Sequence, residues 1–257
     1  MGGTALIGYT GFVGAVLDRQ YRFDDRYNSS NIDKIRGKSY HLVFCAGARA
    51  EKWRANTDPE ADWRNLTLLM EALAESEIGD LVLISTVDVY PDPVGVDEET
   101  PIEAKVNHPY GKHRYEFERF CIEHFSSTVV RLPGLFGPGL KKNVIYDLLN
   151  NNGVDQIHAD SIFQFYDLKH LRRDIDLARR HAIRLINIAT EPSSVAEIAR
   201  EALGVDFGNR PSGRRPGRYD MRSIYASLYG GRSGYLYDRM QVFTDLREFV
   251  RTYPSGR

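Results

Sequence analysis

Three evenly spaced glycines constrain this chain more than any other feature: Gly8-Tyr9-Thr10-Gly11-Phe12-Val13-Gly14. Residues 4–7, Thr-Ala-Leu-Ile, read as a buried strand. Phe12–Gln20 behind the glycines reads as a helix with Val13, Val16 and Leu17 on one face. A glycine at a strand exit permits a tight turn, a second lets backbone approach a diphosphate, and a third lets helix and sheet pack closely. The helix N-terminus then offers unpaired N–H groups and the positive end of its dipole to the anion. The spacing is GxxGxxG rather than GxGxxG, so the strand–turn–helix context carries the reading. A glycine turn that holds no ligand is the bland alternative.

The first half of the chain keeps alternating. A short second strand is expected near residues 21–24, and residues 41–45 form another strand, ended by Ala46-Gly47. Residues 62–74 place Trp63, Leu66, Leu69, Met70 and Leu73 at helical spacing. Residues 81–84, Leu-Val-Leu-Ile, are unbroken and so read as a strand buried on both faces. Residues 110–125 read as a helix and 127–132 as the next strand. Such alternation predicts a parallel sheet covered by helices on both faces. The second half is less regular. Residues 144–149 and 168–183 read as helices and 184–189 as a strand. Residues 195–203 form a helix behind Ser193 or Ser194 as N-cap, with Glu197 early in it. The stretch 208–218, with Arg210, Arg214, Arg215 and Arg218, reads as a loop.

A chain of 257 residues suits one large domain, or one with an elaboration. Its 42% apolar and 27% charged residues are those of an ordinary globule. With 34 Lys+Arg against 35 Asp+Glu and a net charge of -1, no nucleic-acid partner is expected. Two cysteines make no disulfide framework and fit a reducing compartment. The apolar runs are too short to span a bilayer and the first residues lack a charged leader, so a cytoplasmic setting with no membrane partner is expected.

Two further segments carry chemistry. Ile84-Ser85-Thr86-Val87-Asp88-Val89-Tyr90 lies at the exit of a buried strand, where ligands of open α/β sheets bind. A hydroxyl there, Thr86, is placed to hydrogen-bond a substrate oxygen. Tyr110-Gly111-Lys112-His113-Arg114 opens a helix, and Tyr110 and Arg114, four apart, share its face. A phenol beside a cation can act as a general acid or base, because the charge lowers its pKa from about 10. A surface helix tyrosine is the plain alternative.

The order GYTGFVG, ISTVDVY, YGKHR and VVRLPGLFGPG resembles the extended short-chain dehydrogenase/reductase family, whose members are NAD(P)-dependent nucleotide-sugar epimerases, dehydratases and reductases. The resemblance spans residues 4–140 and continues more weakly through 163–202. It implies that Gly8, Thr10, Gly11, Phe12, Val13 and Gly14 hold the dinucleotide's diphosphate. Cys45, Ala46 and Gly47 match a fourth-strand exit beneath the adenosine ribose. Pro133, after the sixth strand, matches a contact at the nicotinamide end. Thr86 matches the hydroxyl that orients the reacting group, and Tyr110 the proton-transferring tyrosine. Arg215 lies in a segment resembling a late loop that holds nucleotide-sugar phosphates. Asn65 is one match for a helix asparagine, with Asp62 as its rival. Asp24, Asp25 and Arg26 fall where the second strand should end and could select between NAD and NADP; the sequence does not choose, and the following Asn28-Ser29-Ser30-Asn31 could contact a 2′-phosphate but reads first as a plain loop.

Two positions depart from the pattern. Arg114 stands where the family has the lysine that binds the nicotinamide ribose. It can supply the charge and donate to hydroxyls, but it does not readily release a proton. Val87 stands where dehydratases of the family carry an acid, which disfavours a dehydratase; Asp88 beside it could still serve as an acid, though a solvated or capping carboxylate is its commoner use. Trp53 either stacks on a sugar or closes a hydrophobic edge, the commoner use. His108 and His113 flank Tyr110; either could be a second proton carrier, but a surface role is the commoner reading for both. Cys45 reads as a small buried residue rather than a nucleophile, and the histidines show no metal-ligand spacing.

The expected fold is therefore α/β: a Rossmann-type doubly wound parallel sheet with a small C-terminal substrate-binding lobe. Residues 1–132, completed by about 166–189, make the NAD(P)-binding domain, and 133–165 with 190–257 make the lobe. The expected function is an NAD(P)-dependent oxidoreductase or epimerase on a nucleotide-activated sugar, with Tyr110 as acid/base, Thr86 orienting and Arg114 assisting. The expected assembly is a homodimer. The alternative is a catalytically silent NAD(P)-binding sensor or scaffold, suggested by Arg114.

Overall fold

Residues 2–253 are described by the structure, a computed structural model. Two compact units divide the chain. The first comprises residues 1–92, 100–131 and 171–186. Its strands are β1 (Gly3–Ile7), β2 (Asp25–Tyr27), β3 (Ser39–Cys45), β4 (Glu77–Thr86), β5 (Ser126–Leu132) and β6 (Leu185–Asn187), in the sheet order β6-β5-β4-β3-β1-β2. β1 pairs in parallel with both β2 and β3, and β3 pairs in parallel with β4. The helices are α1 (Phe12–Gln20), α2 (Lys52–Thr57), α3 (Pro59–Ala74), α4 (Pro109–His124) and α5 (Leu171–Arg180).

The strand alternation explains the layering. Ala5, Ile7, Val43, Cys45, Leu81 and Leu83 share one buried cluster with Leu66, Leu69 and Leu73 of α3 and Phe117 and Cys121 of α4. The intervening Leu6, Phe44 and Val82 are equally buried and, by the two-residue period of a strand, face the other way. There Tyr21, at the end of α1, packs on Phe44 with ring centroids 4.7 Å apart and gives its hydroxyl proton to Asp176 of α5 at 2.8 Å. This is the Rossmann-type doubly wound sheet.

The second strand lies at residues 25–27, not 21–24. Residues 21–24 form the connection, held by Tyr21 on Asp176 and by Asp24, whose carboxylate accepts the Thr4 N–H at 2.7 Å. No strand follows before β3; a single helical turn, Ile32–Ile35, takes that place. The exit at Cys45 therefore belongs to the third strand of the sheet rather than a fourth, and Leu132 ends the fifth rather than a sixth.

The second unit comprises residues 93–99, 132–170 and 187–257, so residues 166–170 and 187–189 belong with it. It is built of short strand pairs, such as Gly134–Phe136 with Phe165–Asp167, and of helices Val144–Asn150 and Arg239–Thr252. Buried Gln164 fastens it, donating to the Met221 carbonyl and accepting the Met221 N–H, each at 2.7 Å. Ser194 is the N-cap expected: its hydroxyl accepts the Glu197 N–H at 3.2 Å while Glu197 accepts the Ser194 N–H at 2.8 Å. The helix it opens is α-helical only over Val195–Ile198 and then widens into a π turn over Ala199–Leu203. Among the described residues no helix is long and apolar enough to cross a membrane, and no group of His, Cys, Asp and Glu could hold a metal ion.

Candidate active site

The sheet order reverses direction at β1, which lies between β2 and β3, and such a switch point opens a crevice at the carboxyl ends of the strands. The glycine turn sits there. Gly8 has φ 86°, and its N–H bonds the Tyr27 carbonyl at 2.7 Å. A Cβ on Gly8 would stand 2.3 Å from the Ala46 carbonyl oxygen, and one on Gly14 would stand 1.9 Å from the Gly8 oxygen. Gly11 is the N-cap of α1 and provides no side chain to cap its first-turn amides. The Gly8 and Gly11 N–H groups are held by the Tyr27 and Gly8 carbonyls, and the first-turn amides that follow, from Phe12 to Gly14, are left to an external acceptor. Ala46 and Gly47 form the facing wall. Cys45 is fully buried, and burial pushes its thiol up to about 12, which makes it no nucleophile.

The second wall comes from β4 and α4. Thr86 ends β4, and its hydroxyl accepts the Asp88 N–H at 3.2 Å, turning the chain into a short helical turn over Val87–Val89. Asn107 donates to the carbonyls of Asp88 at 3.0 Å and Val89 at 2.9 Å. A Cβ on Gly111 would meet the Asp88 oxygen at 2.1 Å, so only glycine lets α4 dock so closely on this turn. His108 caps α4, its Nδ1 accepting the Gly111 N–H at 3.0 Å, and Pro109 follows at the first helical position.

This docking delivers Tyr110 to Thr86. The Thr86 side chain acts on the Tyr110 phenol, and the Tyr110 N–H is held by Asn56 Oδ1 at 3.0 Å. Tyr110 is 6% exposed. Burial raises its phenol above the usual 10; Arg114 opposes this, Asp88 adds to it, and Lys52 and the Thr86 hydrogen bond oppose it. The net direction is upward: Arg114 favours the anion, as its charge leads one to expect, but burial outweighs it in this state.

Arg114 is buried and lies over the Tyr110 ring, its guanidinium carbon 4.2 Å from the centroid. Both of its terminal nitrogens bond the Asp62 carboxylate, Nη2 to Oδ1 at 2.9 Å, and Nη2 also donates to the Arg49 carbonyl. His113 Nδ1 bonds the same carboxylate at 2.8 Å. Burial alone would raise the Asp62 carboxyl, but its bonds to Arg114 and His113 hold it below the usual carboxylate range. Of the two candidates on α3, it is Asp62 that reaches the site; Asn65 donates to the Ala61 carbonyl at 2.7 Å. The Arg114 Nε is buried with no partner among the described residues.

Sequence reasoning missed several features. Lys52 reaches Asp88, Nζ to Oδ1 2.7 Å. His108 and His113 are not free surface residues: one caps α4, the other binds Asp62 and packs on Trp63, ring centroids 5.2 Å apart. Burial, with Lys52, pulls the His108 ring below its usual 6.5. Trp53 closes no edge, being 80% exposed. Asp25 and Arg26 lie inside β2 with side-chain partners of their own: Asp25 with Lys38 at 2.9 Å and Arg26 with Asp18 at 2.7 Å. The residue at the strand's end is Asn28, whose Nδ2 donates to the Tyr9 hydroxyl at 3.3 Å. Within the second unit, Pro133 is buried directly after β5, and Arg215 is exposed with no side-chain partner among the described residues, whereas Arg210 pairs with Asp160 at 2.8 Å.

A model of the NAD dependent epimerase/dehydratase family matches residues 15–174. This chain belongs to that family. It is therefore an enzyme of a group that works with a pyridine dinucleotide. No curated protein matches the sequence. Solved structures that resemble it include a UDP-glucose 4-epimerase of Thermotoga maritima with UDP-glucose, at 16% identity and a TM-score of 0.71 over 96% of this chain and 97% of that one. A dTDP-4-dehydrorhamnose reductase of Bacillus anthracis, in complex with NADP, gives 18% identity and a TM-score of 0.73 over 98% and 99%. An NAD dependent NDP-hexosamine 5,6-dehydratase of tunicamycin biosynthesis gives 14% identity and 0.73, with both chains covered in full. At these identities the likeness is one of fold.

Proposed function

We propose that this family member is an NAD(P)-dependent oxidoreductase or epimerase acting on a nucleotide-activated sugar, with Tyr110 as the proton-transferring group. The observation that carries the reading is the buried Tyr110 phenol, docked with α4 on the turn that Thr86 opens at the carboxyl end of β4, with the Arg114 guanidinium carbon 4.2 Å from its ring centroid. The ligands bound in the similar structures, UDP-glucose and NADP among them, support the substrate and cofactor class.

The residues fit a dinucleotide. A Cβ at Gly8 or Gly14 would fill the cradle at the switch point, and the orphaned Arg114 Nε is a buried donor suited to a ribose hydroxyl. When bound, the dinucleotide supplies a hydride donor or acceptor at its nicotinamide ring. The α1 amides would hold the diphosphate, and Tyr110 and Thr86 would bracket the substrate oxygen. Tyr110 would give a proton to the oxygen as the carbonyl is reduced, or take it as the alcohol is oxidised, while Thr86 fixes that oxygen by hydrogen bonding. Val87 is buried and apolar, so the acid of water elimination has no counterpart at that position, which supports reductase or epimerase chemistry over dehydration.

Because Asp25 and Arg26 lie inside β2 and are paired with Lys38 and Asp18, selection at the adenosine 2′ position is assigned to the segment from Asn28 to Asn31. Arg215, exposed in its loop, is assigned to the substrate's phosphates. A homodimer is proposed through α3, which leaves Trp63 38% and Leu68 49% exposed. Two free, buried cysteines fit a cytoplasmic setting.

Nicotinamide absorbance measured with a panel of nucleotide sugars tests the proposal. Turnover of one of them that is lost in Tyr110→Phe supports it. Confirmed dinucleotide binding without turnover of any would favour the silent sensor instead, a reading drawn from the commitment of Arg114 to Asp62 and Arg49.

A further inference from the structure

Every charged group near the Tyr110 phenol belongs to a pair. On its own helix, Arg114 lies over the ring and His108 is 6.2 Å from it, centroid to centroid. From α2 comes Lys52, and from the turn after β4 comes Asp88; these two bond each other at 2.7 Å. Behind Arg114, on α3, lies Asp62, which both guanidinium terminal nitrogens grip and which His113 also bonds. Two cations thus face the phenol, and each carries its own carboxylate.

The geometry points to Asp62 as a positioning residue: it fixes the Arg114 guanidinium over the Tyr110 ring and cancels its charge there, so that Tyr110 meets the substrate as a protonated phenol, a proton donor suited to carbonyl reduction. The inference rests on the reading of Tyr110 as the acid/base group. The two-point grip matters because a guanidinium held at both terminal nitrogens cannot swing away from its stack, and because a carboxylate in contact with a cation offsets the field that the cation exerts on a third group. With Arg114 so offset, and Lys52 offset by Asp88, burial decides the ionisation of the phenol, and burial favours the neutral form. The net upward direction found for Tyr110 has burial as its largest cause, with Arg114 the largest opposing one. The Arg114–Asp62 pair keeps a stacked, hydrogen-bonding group beside the tyrosine without its net charge.

The test reads the ionisation of Tyr110 itself, by tyrosinate absorbance in the full chain, with Tyr110→Phe as the blank for the other tyrosines. Asp62→Asn keeps an acceptor for Arg114 but uncovers its charge. The Tyr110 titration should then move down by about one pH unit or more, and the alkaline limb of carbonyl reduction should move with it. Asp62→Glu should restore both. Asp62→Asn combined with Arg114→Gln removes the pair as a neutral unit and should leave the titration within about half a unit of the native one. A folded Asp62→Asn with an unmoved titration overturns the inference, even if activity falls uniformly across pH, since that is what a merely structural role predicts. If Asp62→Asn does not fold, the double variant decides alone: a rise of about one unit or more would mean that Arg114 acted as an uncancelled cation. Full activity in Tyr110→Phe would sink the acid/base reading but leave the titration result standing, so the two failures can be told apart.

Discussion

Gly14, in the first turn of α1, faces the carbonyl of Gly8 so closely that a Cβ on it would stand 1.9 Å from the oxygen. The contact closes the glycine turn on itself and aims the α1 amides into the crevice between β1 and β3. Nothing larger than glycine fits without opening that turn.

Gly14→Ala should therefore weaken dinucleotide binding by at least about tenfold and lower stability by about 1–3 kcal/mol, the range for forcing a methyl into packed structure. Fluorescence titration with a reduced dinucleotide and a urea melt measure the two effects. Native affinity in the variant would show that the turn does not hold the diphosphate.

Tyr110→Phe should lower turnover by about 10²–10⁴-fold, the usual contribution of a positioned acid or base. Dinucleotide affinity should stay within about twofold, since the ring remains to stack under Arg114. Parallel measurements of kcat and dinucleotide Kd separate the two effects.

Asp62→Ala should destabilise the chain by about 3–5 kcal/mol, because it leaves Arg114 buried and unpaired. The native pair also has a pH signature. The Asp62 carboxyl lies below its ordinary value in the folded chain. Its contribution is therefore complete above about pH 4, the unfolded value, and is lost as pH falls through the lower folded value. Urea melts from pH 5 downward should show a loss of stability that is absent in Asp62→Ala.

His108 gives a second pH signature, in a different window. Its Nδ1 caps α4 only when neutral, and burial with Lys52 holds the ring below 6.5. That stability is present above about pH 6.5, the unfolded value, and declines as pH falls toward the lower folded value. His108→Asn keeps a capping acceptor and should remove the decline between about pH 6.5 and 5 while leaving neutral stability within about 1 kcal/mol.

The parts of this structure that depend on near neighbours in sequence were legible from the sequence. The glycine turn, α1 at Phe12–Gln20 and the shared face of Tyr110 and Arg114 follow from spacings of three and four residues. The strand β2 was misplaced because it is three residues long, too short for a two-residue period to register, and because residues 21–24 carry aromatics that pack as a connection. The match to the helix asparagine was open between Asn65 and Asp62 because the group that Asp62 meets, Arg114, lies 52 positions away on another helix. Nothing in local periodicity sets which turn of α3 faces α4; that is fixed by how both helices dock on the sheet. The roles of His108 as a cap and Lys52 as the partner of Asp88 depend likewise on α4 and α2 converging on the turn after β4.

The most direct measurement is calorimetric titration of the folded chain with NADH and with NADPH. Uptake of at least one of them at a single site, abolished in Gly14→Ala, is the predicted result; no uptake of either by well-folded protein would contradict the reading of the crevice at β1 and β3 as a dinucleotide site.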